Sequence, residues 1–153
     1  MPIEEAKLWR SGLKQKGKKL VMTNGCFDIL HRGHITYMMK ARELGDALII
    51  AINSDRSVRE LKGIGRPVIN QNDRAFIIAS LLFVDGIIIF DTQKCDGIIS
   101  EIQPDIYAKG ADYNLQTMEQ SERAVLEKIG CKIEFISFVD GYSTTSILKK
   151  ISN

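Results

Sequence analysis

The feature of this sequence best suited to chemistry is a pair of histidines three positions apart. His31 and His34 are the only histidines among the 153 residues, and Arg32 and Gly33 separate them. Side chains at this spacing on a helix share a face, so both imidazoles can point the same way, and Gly33 leaves room for a large group. With the amides of a helix N-terminus they would form an anion site, and the expected anion is a polyphosphate. The alternative is that both histidines are structural. Their position together in one loop, at the end of the sheet where ligands bind, disfavours this alternative.

Metal binding is the other chemistry that two histidines offer. Asp28 is the nearest candidate for a third ligand, but the spacing differs from the i,i+4 pattern of helical zinc sites. The sequence therefore predicts no metal held by the protein, and Mg²⁺ carried in by a nucleotide is more natural. Cys26, Cys95 and Cys131 lie far apart without ligand spacing, which predicts neither a disulfide nor a zinc site.

Short apolar runs alternate with amphipathic segments, as in a protein built of strand–helix units. The apolar runs predict strands at 19–23, 47–53, 86–90, 105–108 and 131–136. The segments with helical spacing predict helices at 34–44, 70–82, 97–102, 119–129 and 143–151. Strands joined by helices pair in parallel through right-handed crossovers. We therefore expect an α/β fold, a doubly wound five-stranded parallel sheet with helices on both faces, in a single domain spanning 1–153.

The expected fold also indicates which loops to examine. Ligands of such sheets bind beyond the carboxyl ends of the strands, which here means the loops 23–34, 53–67, 109–113 and 137–145. The histidine pair lies in the first of these loops. Residues 1–18 are predicted to form a polar helical extension that contacts the domain through Trp9 and Leu13.

Composition excludes several classes of protein. The 21 basic and 19 acidic residues leave a net charge of +2, which is too small to favour nucleic acid as the partner. No apolar run approaches the roughly 18 residues of a membrane span. The N-terminus is acidic and polar where a signal peptide would be basic and then apolar. We therefore expect a cytoplasmic protein with no membrane partner.

The motifs beyond the histidines identify a family. The segment 23–34, TNGCFDILHRGH, resembles the HxGH signature of the nucleotidyltransferase superfamily. NSD at 53–55, LKG at 61–63, RPV at 66–68, KGADY at 109–113 and DGYSTT at 140–145 follow in order. HxGH alone indicates the superfamily, whereas the full set resembles the adenylyltransferase domain that makes ADP-heptose from heptose 1-phosphate and ATP. The resemblance extends from about Lys19 to the C-terminus and implies a Rossmann-like HxGH nucleotidyltransferase fold.

The resemblance implies a role for each matching residue. The catalytic residues would be His31, His34 and Lys62. The nucleotide would be contacted or supported by Asn24, Gly25, Cys26, Phe27, Asp28, Gly33, Arg74, Lys109, Gly110, Asp112, Ser143, Thr144 and Thr145. The substrate-binding residues would be Asn53, Asp55, Tyr113 and Tyr142. The resemblance further implies ATP as a substrate with Mg²⁺, a sugar phosphate acceptor, a homodimer, and a separate sugar kinase.

General physical chemistry gives these assignments unequal support. Glycines around Lys62 predict a mobile lid that carries a charge. Lys109 and Gly110 follow a buried strand at the ligand edge of the sheet, which favours a functional role for Lys109. Ser143 or Thr144 is expected to cap the last helix, with or without phosphate. The physical support for the assignment of Arg74 is weaker, because an arginine in the first turns of a helix is usually solvated. Ala111 and Tyr142 depart from the family pattern, and Tyr142 would reshape the acceptor pocket.

The expected reaction is attack by an acceptor phosphate on the α-phosphorus of ATP, which needs alignment and charge cancellation rather than a general base. Two related activities remain open, a CTP-dependent glycerol-phosphate cytidylyltransferase and an FAD synthetase. A nucleotide-binding module without turnover is a third alternative. An NAD-binding Rossmann protein would need GxGxxG after the first strand, which this sequence lacks.

Overall fold

The computed structural model describes residues 1–137 and 141–151, so Asp140 of the DGYSTT motif lies outside the described residues. The strands are β1 (Leu20–Gly25), β2 (Ala47–Asn53), β3 (Gly86–Phe90), β4 (Ile106–Gly110) and β5 (Lys132–Ile136). The helices are α1 (Ile3–Gln15), α2 (Arg32–Arg42), α3 (Asp55–Lys62), α4 (Gln71–Ala79), α5 (Asp96–Ile102), α6 (Gln120–Lys128) and α7 (Thr144–Ile151).

The strands form one parallel sheet in the order β3-β2-β1-β4-β5. The chain builds outward from β1 to β3, then returns across the sheet to place β4 on the other side of β1. This confirms the predicted doubly wound α/β fold. The strand order reverses between β1 and β4, and a crevice for ligand forms at such a switch point.

Successive side chains of a strand point to opposite faces of the sheet, so strands that are apolar throughout present apolar side chains on both faces. Helices cover each face. Met22 and Ile49 pack in the core that also contains apolar residues of α1, α5 and α6. Val21 and Ile50 pack in the second core, with apolar residues of α2 and α4. The helices that follow β1 and β4, α2 and α6, therefore lie on opposite faces of the sheet.

Three expectations differ from the structure. The loop predicted at 53–67 contains α3, a polar helix that begins at the Ser54 cap and buries Val58. The fourth strand continues to Gly110, so Lys109 lies within the strand and not after it. The predicted N-terminal extension is an integrated helix, because Ala6 is fully buried in the core.

An aspartate stands immediately before three of the strands and fastens a neighbouring strand. The carboxylates of Asp46, Asp85 and Asp105 accept hydrogen bonds of 2.7–2.8 Å from the amides of Lys19, Leu48 and Leu20 respectively. Those amides lie at the amino ends of β1 and β2. The ladder from β1 to β4 begins only at Val21 and the ladder from β2 to β3 only at Ile49, so neither supplies a partner for Leu20 or Leu48. The aspartates thus fix the edge of the sheet opposite the expected site.

The three cysteines are free thiols, and Cys95 is buried while the other two are half-buried. Within residues 1–137 and 141–151, no helix is both long and apolar enough to cross a membrane.

Asp105→Ala is expected to lower the free energy of unfolding by about 1–3 kcal/mol, because the buried Leu20 amide loses its acceptor and Arg10 loses its ion pair. Urea unfolding measures the change. Asp105→Asn, which keeps an oxygen acceptor, should lose less. Equal stability of the wild type and the alanine variant would contradict this account.

Candidate active site

A cleft of about 780 Å³ lies at the carboxyl ends of the central strands, where β1 and β4 separate. It collects residues from β1, β2, β4, α3, α6 and the start of α7. The residues assigned by family resemblance that line it are Asn24, Gly25, Cys26, Phe27, Asp28, His34, Asn53, Lys62, Lys109, Gly110, Tyr113, Thr144 and Thr145. Distant parts of the sequence therefore meet at one site.

The two histidines are stacked at the start of α2. Their ring centroids lie 3.8 Å apart with planes 20° from parallel. His31 is the N-cap residue, and its Nδ1 accepts a hydrogen bond from the His34 amide at 3.4 Å. The edge of the Phe27 ring packs against His34, with 5.3 Å between centroids. The spacing thus brings both imidazoles to one side of the helix N-terminus, as predicted.

The packing of the protein itself requires a glycine at position 33. A Cβ atom at Gly33 would lie 3.0 Å from the His31 ring and 3.1 Å from the Cβ of Tyr142. This requirement stands beside the sequence interpretation, in which the glycine lets a large ligand approach the backbone. Tyr142 is stacked loosely beyond His31, with 6.3 Å between ring centroids.

Both imidazoles are neutral in the free protein near pH 7. Burial, followed by the proximity of His31, lowers the pKa of His34 to about 4. Burial also lowers the pKa of His31 below its usual range. A polyanion placed against them would raise both pKa values, because nearby negative charge favours the protonated imidazole. Occupancy by such an anion would therefore be coupled to proton uptake.

A buried carboxylate organises the cations at this end of the cleft. Asp28 is 2% exposed and accepts hydrogen bonds from the Val68 and Ile69 amides, at 2.8 and 2.9 Å, and from Nε of Arg66, at 2.6 Å. Burial opposes ionisation, but these amides and the guanidinium hold the pKa of Asp28 below its usual range. Asp28 thus ties the histidine loop to residues 66–69, which keeps Arg66 on the cleft wall.

Lys62 ends α3 and lies exposed on the same wall. Gly63 and Gly65, with φ of 92° and 93°, follow it in conformations that other residues rarely adopt. Ile64 between them is fully exposed. The segment that follows Lys62 therefore has few contacts to hold it, until Arg66 meets Asp28.

Arg74 supports the loop from below and does not face the cleft. It is 1% exposed, and its guanidinium donates to the carbonyls of Cys26 and Ile69 and to the carboxylate of Asp55, at 2.6, 2.9 and 2.9 Å. Arg74 is therefore not solvated, as an arginine in the first turns of a helix usually is, and these three acceptors compensate its burial. Asp55 is likewise engaged with Arg74 outside the cleft wall.

The opposite end of the cleft contains a hydrogen-bonded network of four side chains. Lys109 Nζ lies 3.1 Å from both Asn24 Oδ1 and Glu122 Oε2. The Tyr107 hydroxyl donates to the same Asn24 oxygen at 2.8 Å. The sequence analysis did not identify Tyr107 and Glu122 as site residues. Tyr107 lies in the short apolar run that forms β4, where nothing marks its hydroxyl group as part of a site.

The remaining assigned residues lie around the rim. The Ser143 hydroxyl accepts from the Ser146 amide at 3.0 Å and so caps α7, as expected. Thr144 donates to the Ile29 carbonyl at 3.3 Å, which ties α7 to the histidine loop. Asn53 is buried and donates to Ser57 at 2.9 Å. Asp112 lies in an exposed turn after β4.

The carboxylates of the cleft already have partners. Asp28 is saturated by amides and Arg66, Glu122 is paired with Lys109, and Glu119 is paired with Lys94. In the part of the chain that the structure describes, no three histidine, cysteine or carboxylate side chains cluster as a metal site. The donor set therefore does not fit a metal ion held by the protein itself.

Comparison with known families decides what kind of cleft this is. The model of the cytidylyltransferase-like family matches residues 22–150, which include both histidines, most of β1, all of β2 to β5 and nearly all of α7. The chain belongs to the cytidylyltransferase-like family. It is a nucleotidyltransferase, and the resemblance drawn from its motifs is confirmed.

Relatives within the cytidylyltransferase-like family include bifunctional proteins. The "Bifunctional protein HldE" of Geotalea uraniireducens is 48% identical over 90% of this chain, and that of Campylobacter concisus is 48% identical over 92%. This chain spans only 28% and 29% of the lengths of those two proteins. The crystal structure of a lipopolysaccharide core biosynthesis protein from Thermoplasma volcanium has a TM-score of 0.66 at 30% identity, and the match covers 83% of this chain and all of that one.

His34→Gln is expected to flatten the dependence of stability on pH. The folded pKa of about 4 lies below the usual value of 6.5, so between these pH values the unfolded chain binds a proton that the folded chain lacks. The free energy of unfolding of the wild type should therefore fall as pH is lowered through this range. Urea unfolding at pH 7, 6, 5 and 4.5 tests this, and parallel curves for both proteins would refute it.

Proposed function

We propose that this chain transfers AMP from ATP to a sugar 1-phosphate, specifically D-glycero-β-D-manno-heptose 1-phosphate, and so forms ADP-heptose and pyrophosphate. The observation that carries the proposal is the stacked histidine pair at the N-terminus of α2, in which His34 lines the switch-point cleft and His31 stacks against it. Helix amides and imidazoles at this position suit a polyphosphate. The match to HldE proteins along most of the chain supports the sugar-phosphate acceptor.

The charges of the cleft suggest how the nucleotide lies in it. Lys62 and Arg66 stand at the histidine end, whereas at the other end the charge of Lys109 is cancelled by Glu122. The triphosphate fits the first end and the nucleoside the second, where hydrogen bonds can select without attracting phosphate. The Tyr113 ring, 5.4 Å from the Lys109 ammonium, adds an aromatic surface at the nucleoside end.

In the proposed reaction an oxygen of the acceptor phosphate attacks the α-phosphorus of ATP. A new P–O bond forms to the acceptor, and the bond from the α-phosphorus to the bridging oxygen breaks, releasing pyrophosphate. The attacking phosphate is already an anion, so no base is needed. His31 and His34 would become imidazolium donors as the triphosphate binds, and Lys62 would stabilise the charge on the leaving pyrophosphate. The proposed reaction has no covalent enzyme intermediate and so asks for no nucleophile from Cys26, and burial raises the pKa of that thiol.

Mg²⁺ belongs to this proposal as part of the substrate. Because Asp28, Glu122 and Glu119 of the cleft are paired with Arg66, Lys109 and Lys94 respectively, the ion would enter bound to the triphosphate, a mode that Mg²⁺ commonly adopts. The protein would then bind the Mg–ATP complex through the phosphates that the ion leaves free.

The wider setting of the reaction is also proposed. We propose that a separate sugar kinase takes part in supplying the sugar 1-phosphate, as the family resemblance implies. We further propose that the chain works as a homodimer in the cytoplasm, and that neither nucleic acid nor membrane is a partner. Size-exclusion chromatography with light scattering tests the dimer.

Pyrophosphate release is expected with ATP and heptose 1-phosphate when ATP, CTP and GTP are crossed with heptose 1-phosphate, glycerol 3-phosphate and FMN. His34→Ala should lower turnover by about 10²–10³-fold, as loss of a transition-state charge donor does. Lys40→Ala, on the same helix, is the control. Release only with CTP and glycerol 3-phosphate, or only with ATP and FMN, would replace this proposal with a sister activity. Nucleotide binding without release would indicate a binding module.

Lys62→Met is expected to lower kcat/KM for ATP by about 10–100-fold, because a charge-assisted contact to phosphate is lost. Arg59→Met, one turn earlier on α3, removes a cation that does not line the cleft and should have little effect. Steady-state kinetics measures both. Equal activities of the two variants would show that Lys62 contacts no phosphate.

A further inference from the structure

Glu122 is a buried carboxylate at the cleft that the proposed reaction does not use. It lies in the first turn of α6 and is 3% exposed. Burying a carboxylate is costly unless it is paired and hydrogen-bonded. Glu122 meets that condition: Oε2 lies 3.1 Å from the Lys109 ammonium, and Oε1 accepts the Cys95 amide at 3.1 Å. The side chain is therefore held from both sides, by β4 and by the start of α5.

The partners of Glu122 are the side chains that the nucleoside end of the cleft presents. The Lys109 ammonium has three donors, and among the described residues Glu122 and Asn24 receive two of them. Asn24 Oδ1 also accepts a hydrogen bond from the Tyr107 hydroxyl. Because two donors point at this oxygen, the side-chain amide of Asn24 is held in one orientation. One N–H of Lys109 is left for a ligand, at a point fixed by its two protein contacts.

Without the carboxylate, this arrangement would change in a specific way. Lys109 would become an uncompensated cation in a cleft whose other end already holds Lys62 and Arg66. A long, flexible ammonium is attracted to phosphate as a point charge. Lys109 would then be free to leave the nucleoside end for the triphosphate, so the cleft would bind bare polyphosphate as well as before and nucleoside less well.

We propose that Glu122 is a positioning residue for nucleotide recognition: it anchors and neutralises Lys109, and it orients Asn24 both through Lys109 and through the Asn24 amide group, whose Nδ2 lies 3.5 Å from Glu122 Oε1, so that this end of the cleft selects the nucleoside. This inference rests on the proposed nucleotidyltransferase reaction and on the orientation of ATP given above. Glu122 acts through its neighbours and contacts no reacting atom.

Glu122→Gln is the informative variant, because it keeps the shape of the side chain and removes its charge. We expect KM for ATP to rise about tenfold, the scale of a lost charge-assisted hydrogen bond, with kcat changed by less than about threefold. Calorimetric titration should show ATP binding weakened by a similar factor while inorganic tripolyphosphate binds unchanged or more tightly. Glu127→Gln, on the exposed side of α6, is the matched control. Glu122→Asp, which keeps the charge but shortens the reach, should recover part of the affinity.

The dependence on Lys109 is tested by a double-mutant cycle. If Glu122 acts through Lys109, then Glu122→Gln should add little to the KM of Lys109→Met. Independent, multiplying effects would overturn the inference, as would an unchanged KM or an equal loss of ATP and tripolyphosphate binding. Thermal unfolding of every variant identifies losses that are caused by a misfolded chain. If the glutamine variant is misfolded, ATP and tripolyphosphate binding are compared in Glu122→Asp instead.

The same experiment separates this inference from the proposed function. If the wild type uses CTP or GTP in place of ATP, the proposed substrate is wrong, yet the comparison of that nucleotide with tripolyphosphate still decides the role of Glu122. If the wild type binds tripolyphosphate but shows no preference for any nucleoside triphosphate over it, both proposals fail.

Discussion

The separation of β1 from β4 at their carboxyl ends is the constraint on which the site depends. Since the strand order reverses there, the helices that follow the two strands, α2 and α6, leave on opposite faces of the sheet. The backbone cannot close the gap between them, so a crevice remains above the middle of the sheet. One wall of that crevice begins with the amides and histidines of α2, and the other with the buried carboxylate of α6.

Buried ion pairs make the crevice rigid. Asp28 with Arg66, Arg74 with Asp55 and Glu122 with Lys109 each join an element that lines the cleft to a neighbouring element. Such pairs add little stability over apolar packing, but breaking one leaves an uncompensated buried charge. Each pair therefore penalises any displacement of its loop. In this way the site holds its donors in place before a ligand arrives, which is what charge stabilisation in a transition state requires.

The sequence predicts the sheet and the histidine pair well, because both depend on local patterns. Short apolar runs such as 47–53, bounded by turn residues, are typical of buried strands, and a spacing of three at a helix start brings His31 and His34 together. The polar helix α3 was not predicted, since it buries little beyond Val58 and a polar pattern resembles a loop. The burial of Arg74 and the pairing of Lys109 with Glu122 depend on elements distant in the chain, for which a single sequence has no local signal.

The contact between α7 and the histidine loop has a consequence for the order of folding. Thr144 bonds to the Ile29 carbonyl, and Tyr142 packs beside Gly33 and His31. The five described strands precede these residues in the chain, so the sheet can assemble before residues 141–151 dock on it. A chain folded only that far would have its sheet but lack one wall of its cleft. Competence to bind substrate would then be acquired in a later step than the fold itself.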